Sequence, residues 1–110
     1  MRIVELADVP HRPVDAHHSR GFTLGALGVT ADAHVVVVSL RPGGVVGRHP
    51  AAGRQLLVVL DGDAAVAGAE GPAVTIGPGQ AAVWEAYESH ETRTVGGLLA
   101  LVVEGEIDLR

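Results

Sequence analysis

Short apolar runs, each closed by residues that turn the chain, leave this 110-residue polypeptide few options besides stacked β-strands. VVVVSL (35–40), LLVVL (56–60), AAVA (64–67), AVTI (73–76), AAVW (81–84) and LLALVV (98–103) are separated by RPGG, DGD, AEGP, GPGQ and VGG. The glycines in these connectors reach positive φ and the prolines fix φ, which is turn chemistry. Short strands at such spacing predict an all-β sandwich or barrel. No segment carries a sustained helical period with caps, and ELADV near the start makes at most one turn. The length suits one core and not two.

Composition removes several function classes. Hydrophobic residues make up 47% of the chain but aromatics only 3%, so the core is aliphatic and there is no platform on which successive bases stack. A net charge of −5, with eight scattered basic side chains, argues against a phosphate backbone as partner. No cysteine occurs, which excludes disulfides and thiolate zinc sites. The opening MRIVELADVP meets Glu5 and Asp8 before any long apolar run and does not read as a secretory signal. LLALVV stops at Glu104, far short of a bilayer span. The expectation is a cytoplasmic domain that binds neither nucleic acid nor membrane.

Two histidines sit inside glycine-framed β patterns. From Gly43 the chain reaches His49 after five residues, then Ala51, Gln55 and Gly62; from Gly79 it reaches Glu85, Tyr87, His90 and Thr94. Over roughly residues 35 to 105 this spacing resembles the two motifs of the cupin family. That family places a second His where this chain has Ala51, a Glu at Gln55, Pro and Gly at Glu85 and Tyr87, and Asn at Thr94. The resemblance implies a single-domain double-stranded β-helix, or jelly-roll barrel. Residues 21–110 would form the barrel, with FTLGALG (22–28) as its first strand. Residues 1–20 would be an N-terminal arm or edge strand, with Ile3, Val4 and Leu6 pairing either within the chain or across a dimer.

Strand geometry gives the pattern a separate rationale. Residues an even number apart on one strand share a face, so His49 goes with Ala51, and Gln55 with Leu57 and Val59. With a turn at Ala52 and Gly53, Gln55 joins His49 from the next strand, and His90 arrives from a separate hairpin. Two imidazoles and an amide converging in an apolar mouth make a ligand site. Trp84 and Tyr87 are placed to line that mouth, or else serve as core and rim packing.

The resemblance also implies a metal. Cupins that bind one generally offer three imidazoles and a carboxylate, whereas His49, Gln55 and His90 are all neutral, so affinity for Zn, Ni, Cu or Fe is expected to fall. Two readings follow. In one, His49, Gln55 and His90 hydrogen-bond a small organic ligand, anionic ones included, directly. In the other, they hold a divalent ion for a dioxygenase or isomerase reaction. A third alternative leaves the two histidines as interior polar groups bonded to Gln55, Thr92 or water.

The remaining polar residues carry less. Glu91 should face away from His90, and Glu85 and Glu88 read as a solvated turn from which one carboxylate can fold back as a general base. Arg48 and Arg54 either draw an anion to the rim or solubilise a loop. His11, His17, His18 and His34 read as exposed or capping residues. Phosphate-loop, dinucleotide, HExxH and GxSxG signatures are absent. Finally, LLVVL and LLALVV are apolar on both faces, so surplus hydrophobic surface outside the barrel points to a homodimer.

Overall fold

The computed structural model describes residues 1–109. The chain folds into strands β1 (Arg2–Glu5), β2 (His11–Pro13), β3 (Thr23–Gly25), β4 (Gly28–Leu40), β5 (Val45–Pro50), β6 (Arg54–Gly62), β7 (Ala64–Ala67), β8 (Val74–Ile76), β9 (Gln80–Trp84), β10 (Ser89–Arg93) and β11 (Leu98–Leu109). Among the described residues the only helical pieces are single three-ten turns at Leu6–Asp8 and Ala16–His18. A five-stranded sheet, β1-β9-β6-β11-β4, packs on a four-stranded sheet, β5-β10-β7-β8, in a jelly-roll arrangement whose edges stay open. The expected all-β fold is present. FTLGALG, however, does not start the sandwich: Thr23–Gly25 pairs with His11–Pro13 in a separate two-stranded ribbon, and the first long strand of the sandwich is β4.

The apolar runs explain the layering. Alternate residues of β6, β9 and β11 point between the sheets, where Leu57, Val59, Ala82, Trp84, Ala100 and Val102 meet Val66 of β7 and Ile76 of β8. Each fully buried aliphatic side chain of this size contributes roughly 1.5–3 kcal/mol. The other face of the five-stranded sheet is covered as well. Leu56, Ala81 and Val83 lie under Val4, Leu27, Ile107 and Leu109, so the chain's own ends absorb part of the surplus apolar surface. Val35, Val36 and Val37 on β4 remain exposed.

Gly62, the closing glycine of the first motif, has a specific steric cause. Its φ is +88°, and a Cβ there would stand 2.0 Å from the carbonyl oxygen of Gly97. Only glycine lets β6 turn this close to the start of β11.

Candidate ligand site between the two sheets

His49 on β5 and His90 on β10 are direct cross-strand partners. Side chains opposite one another in an antiparallel pair share a face, and the two ring centroids are 4.4 Å apart at a tilt of 52°. On its other side His90 meets the indole of Trp84, centroid to centroid 4.6 Å. Trp84 is fully buried and its Nε1–H donates to the carbonyl of Ala67 at 3.1 Å, so it forms a fixed floor. β9 lies in one sheet and β10 in the other, so residues 85–88 cross between sheets and do not close the hairpin expected for His90.

Backbone carbonyls set the tautomer of both imidazoles. His49 Nδ1 lies 2.6 Å from the Gly47 oxygen, and His90 Nδ1 lies 3.1 Å from the Glu88 oxygen. A carbonyl only accepts, so each Nδ1 carries the proton and each Nε2 presents a lone pair. His90 is 2% exposed, yet among the described residues no fully buried polar side-chain atom lacks a partner, so its unbonded Nε2 is not completely enclosed. Burial, with the neighbouring charge of His49, lowers the His90 pKa below the ordinary imidazole value. The Glu88 carbonyl and the charges of Glu104 and Glu88 oppose this without prevailing.

Gln55 is placed by register. It pairs with Trp84 of β9 on one side and Glu104 of β11 on the other, and Glu104 in turn pairs with His34 of β4. One row of inward residues therefore crosses the sheet: Trp84, Gln55, Glu104, His34. Gln55 Nε2 donates to Glu104 Oε2 at 2.5 Å, which leaves its amide oxygen unbonded and, by the same accounting, accessible. Glu104 is the site residue that motif matching misses. Its signal was available, because Leu98, Ala100 and Val102 are buried and period two carries the same face to residue 104.

Glu104 also lines an open cleft of about 530 Å³ with Asp32, His34, Ala52, Tyr87 and Glu106. Tyr87 is 80% exposed and stands on this rim, apart from the imidazoles. Its φ of 68° lies in the left-handed region, which accounts for glycine being the family's usual residue there. Backbone bonds from Tyr87 N to Ala51 O (2.8 Å) and from Ala51 N to Glu88 O (3.0 Å) hold this turn.

The two arginines beside the site are engaged. Arg54 Nη2 and Nε both reach the Glu85 carboxylate, at 2.6 and 3.0 Å, and Nη1 donates to Ile107 O. Arg48 clips Gly68 and Ser89 together. Of the carboxylates expected in a solvated turn, Glu85 faces outward in that ion pair, and Glu91 pairs with Arg93 on the side away from His90. Glu88 is different. Burial works to raise its pKa, but the Met1 ammonium and the N–H groups of Glu85 and Ala69 outweigh it, so the net shift is down.

The family model for the cupin domain matches residues 36–104. The chain belongs to the cupin family. A cupin superfamily protein from Desulfitobacterium hafniense is similar in fold, with a TM-score of 0.63, 18% identity and coverage of 94% of this chain and 97% of that one. A Neisseria meningitidis protein is 28% identical over 72% of this chain and 80% of its own, with a TM-score of 0.59. The DMSP lyase DddQ from Ruegeria pomeroyi is 22% identical, with a TM-score of 0.64 over 91% of this chain but only 58% of that one. Among curated proteins none is significantly similar.

Cupins commonly bind a metal, but the donor set here does not fit a resident one. The position of the family's second imidazole is the methyl of Ala51, 1% exposed. Glu104, one of the two carboxylates whose charge acts on His90, is bonded to Gln55. Among the described residues, no three His, Cys, Asp or Glu side chains converge in a metal-holding group.

Proposed function

We propose that this cupin binds a small organic molecule at the mouth between its sheets, with His49, Gln55 and His90 as hydrogen-bonding residues and Trp84 as the floor. The observation that carries this reading is the Nε2 of His90, a lone pair left unbonded on a ring that is only 2% exposed. The Gln55 amide oxygen and His49 Nε2 add two more acceptors, so the matching ligand presents hydroxyl or ammonium donors. An anion, considered from sequence, fits less well: Asp32, Glu104 and Glu106 line the adjoining cleft, and Arg54 is held by Glu85. Tyr87 serves at the rim.

The metal-dependent dioxygenase or isomerase reading has one supporting feature. Both Nδ1–H groups are tied to backbone carbonyls, as they are in metal-ligating histidines. Against it stands the donor set, and we place it second. Among the described residues no helix is long and apolar enough to cross a membrane.

A thermal-shift screen of polyols, sugars, amines, phenolics and small carboxylates tests the proposal. A ligand at about a hundred times its Kd stabilises the native state by roughly 2.7 kcal/mol, a rise of many degrees for a domain this small. The expected result is a hydroxyl- or amine-bearing hit that loses its effect in both His49→Ala and His90→Ala. Hits unaffected by either substitution would place binding elsewhere.

A further inference from the structure

We infer that Glu88 is the positioning residue of the imidazole pair: its carboxylate anchors the crossover between β9 and β10, and its backbone oxygen keeps the His90 proton on Nδ1. The purpose of that proton placement, leaving Nε2 free for a ligand, rests on the proposed function; the tautomer itself is measurable without one. Residues 85–88 carry the chain from one sheet to the other and lie outside the strand ladders. The Glu88 side chain supplies the bonds the ladders do not. Oε1 accepts from the backbone N–H of Glu85 at 3.1 Å, tying the start of the crossover to its end. Oε2 accepts from Ala69 N at 3.2 Å and from the Met1 ammonium at 3.0 Å, docking the crossover on the β7–β8 connection and on the residue leading into β1. The side chain is 14% exposed, and bonds to an ionised acceptor are roughly twice as strong as neutral ones.

Two further observations point to the same residue. The Glu88 backbone oxygen accepts from Ala51 N at 3.0 Å and lies 3.1 Å from His90 Nδ1, so the acceptor that sets the His90 tautomer moves wherever Glu88 moves. Only the Nδ1–H form offers Nε2 as an acceptor, so Glu88 sets the fraction of protein competent to bind. Gly68, in turn, makes room for the carboxylate. Its φ lies outside the left-handed region, so the backbone does not call for glycine there. A Cβ at that position, however, would collide with Glu88 Oε2 and stand 2.9 Å from Met1 Cβ. Arg48 holds the same corner from β5, donating to the Gly68 oxygen and the Ser89 hydroxyl. His49 is independent of the crossover, because its Nδ1 bonds the Gly47 oxygen two residues back on its own strand.

The two imidazoles should therefore respond differently, and long-range proton–nitrogen NMR of the ligand-free protein reads both. In Glu88→Ala the crossover loses its three carboxylate bonds. His90 is expected to pass from a single Nδ1–H tautomer to a mixture with Nε2–H, while His49 keeps Nδ1–H. Gly68→Ala leaves Glu88 in the chain but displaces its carboxylate, and is expected to act in the same direction. Glu88→Gln, of the same shape and with one acceptor oxygen left, should retain more of the Nδ1–H form than Glu88→Ala. A His90 that keeps a single Nδ1–H tautomer in Glu88→Ala, or in Gly68→Ala should Glu88→Ala not fold, would overturn the inference. So would His49 and His90 losing their tautomers together, or loss of the fold in all three variants, which would make Glu88 a stability residue alone. A tautomer change at His90 with no hit in the thermal-shift screen would uphold this role and count against the proposed function instead.

Discussion

His49 and His90 stand forty-one residues apart in the chain and opposite one another on β5 and β10, with ring centroids 4.4 Å apart. The pair is asymmetric: His90 is buried against Trp84 and His49 is exposed. Substitution should therefore separate binding from stability. His90→Ala opens a cavity beside Trp84 and is expected to lower stability by about 2–4 kcal/mol. His49→Ala is expected to stay within about 0.5 kcal/mol of the parent. Urea denaturation checks both values, while both variants lose ligand.

Acid should destabilise the fold before the carboxylates titrate. His90 is lowered by burial and by His49, so the unfolded chain takes up a proton that the native ring resists. Stability then rises with pH through the interval below about 6.5 and is lost as pH falls through it. Glu88, also lowered, acts with the same sign further into acid, below its ordinary carboxyl value. The urea midpoint should drop between about pH 7.5 and about pH 5.5, and His90→Asn should flatten that drop.

Gln55→Glu tests the contact to Glu104. Two carboxylates would then face each other where Gln55 Nε2 now donates at 2.5 Å. The expected cost at neutral pH is about 1–3 kcal/mol, and the gap to the parent should narrow in acid as the pair takes up a shared proton. Equal melting of both proteins at neutral pH would mean that the two side chains are not adjacent.

Tyr87→Gly should stabilise the protein. The tyrosine is 80% exposed and sits at φ 68°, so glycine removes backbone strain with little loss of packing. Left-handed backbone costs a non-glycine residue roughly 1–2 kcal/mol, of which glycine's extra unfolded-state entropy offsets about half. A gain of about 0.5–1 kcal/mol in urea is the expected reading.

The fold was legible because it rests on local rules. Strands such as LLVVL and LLALVV are short continuous apolar runs bounded by turn formers, and Gly62 is required by a contact that no other residue permits. The imidazole pair was legible through motif spacing. Two features were not. Glu104 lies outside both motifs and joins the site only through the β6–β11 register, a non-local pairing. FTLGALG has strand-like residues, but its partner, His11–Pro13, looked irregular because two prolines and three histidines crowd residues 10–18. Arg48 and Arg54 read as either drawing an anion to the rim or solubilising a loop until their partners Ser89, Gly68 and Glu85 are brought in from distant parts of the chain.

The proposed ligand site depends on two neighbouring imidazoles, each bonded through Nδ1 to a backbone carbonyl and each with an unbonded Nε2. Long-range proton–nitrogen NMR of the histidine rings, recorded at about pH 8 where ordinary imidazole is neutral, measures this directly. The prediction is an Nδ1–H tautomer for both His49 and His90, a ring-to-ring nuclear Overhauser contact, and both Nε2 resonances moving together when a screened ligand is added. An Nε2–H tautomer at either ring, or ligand binding that leaves both nitrogens unmoved, would contradict it.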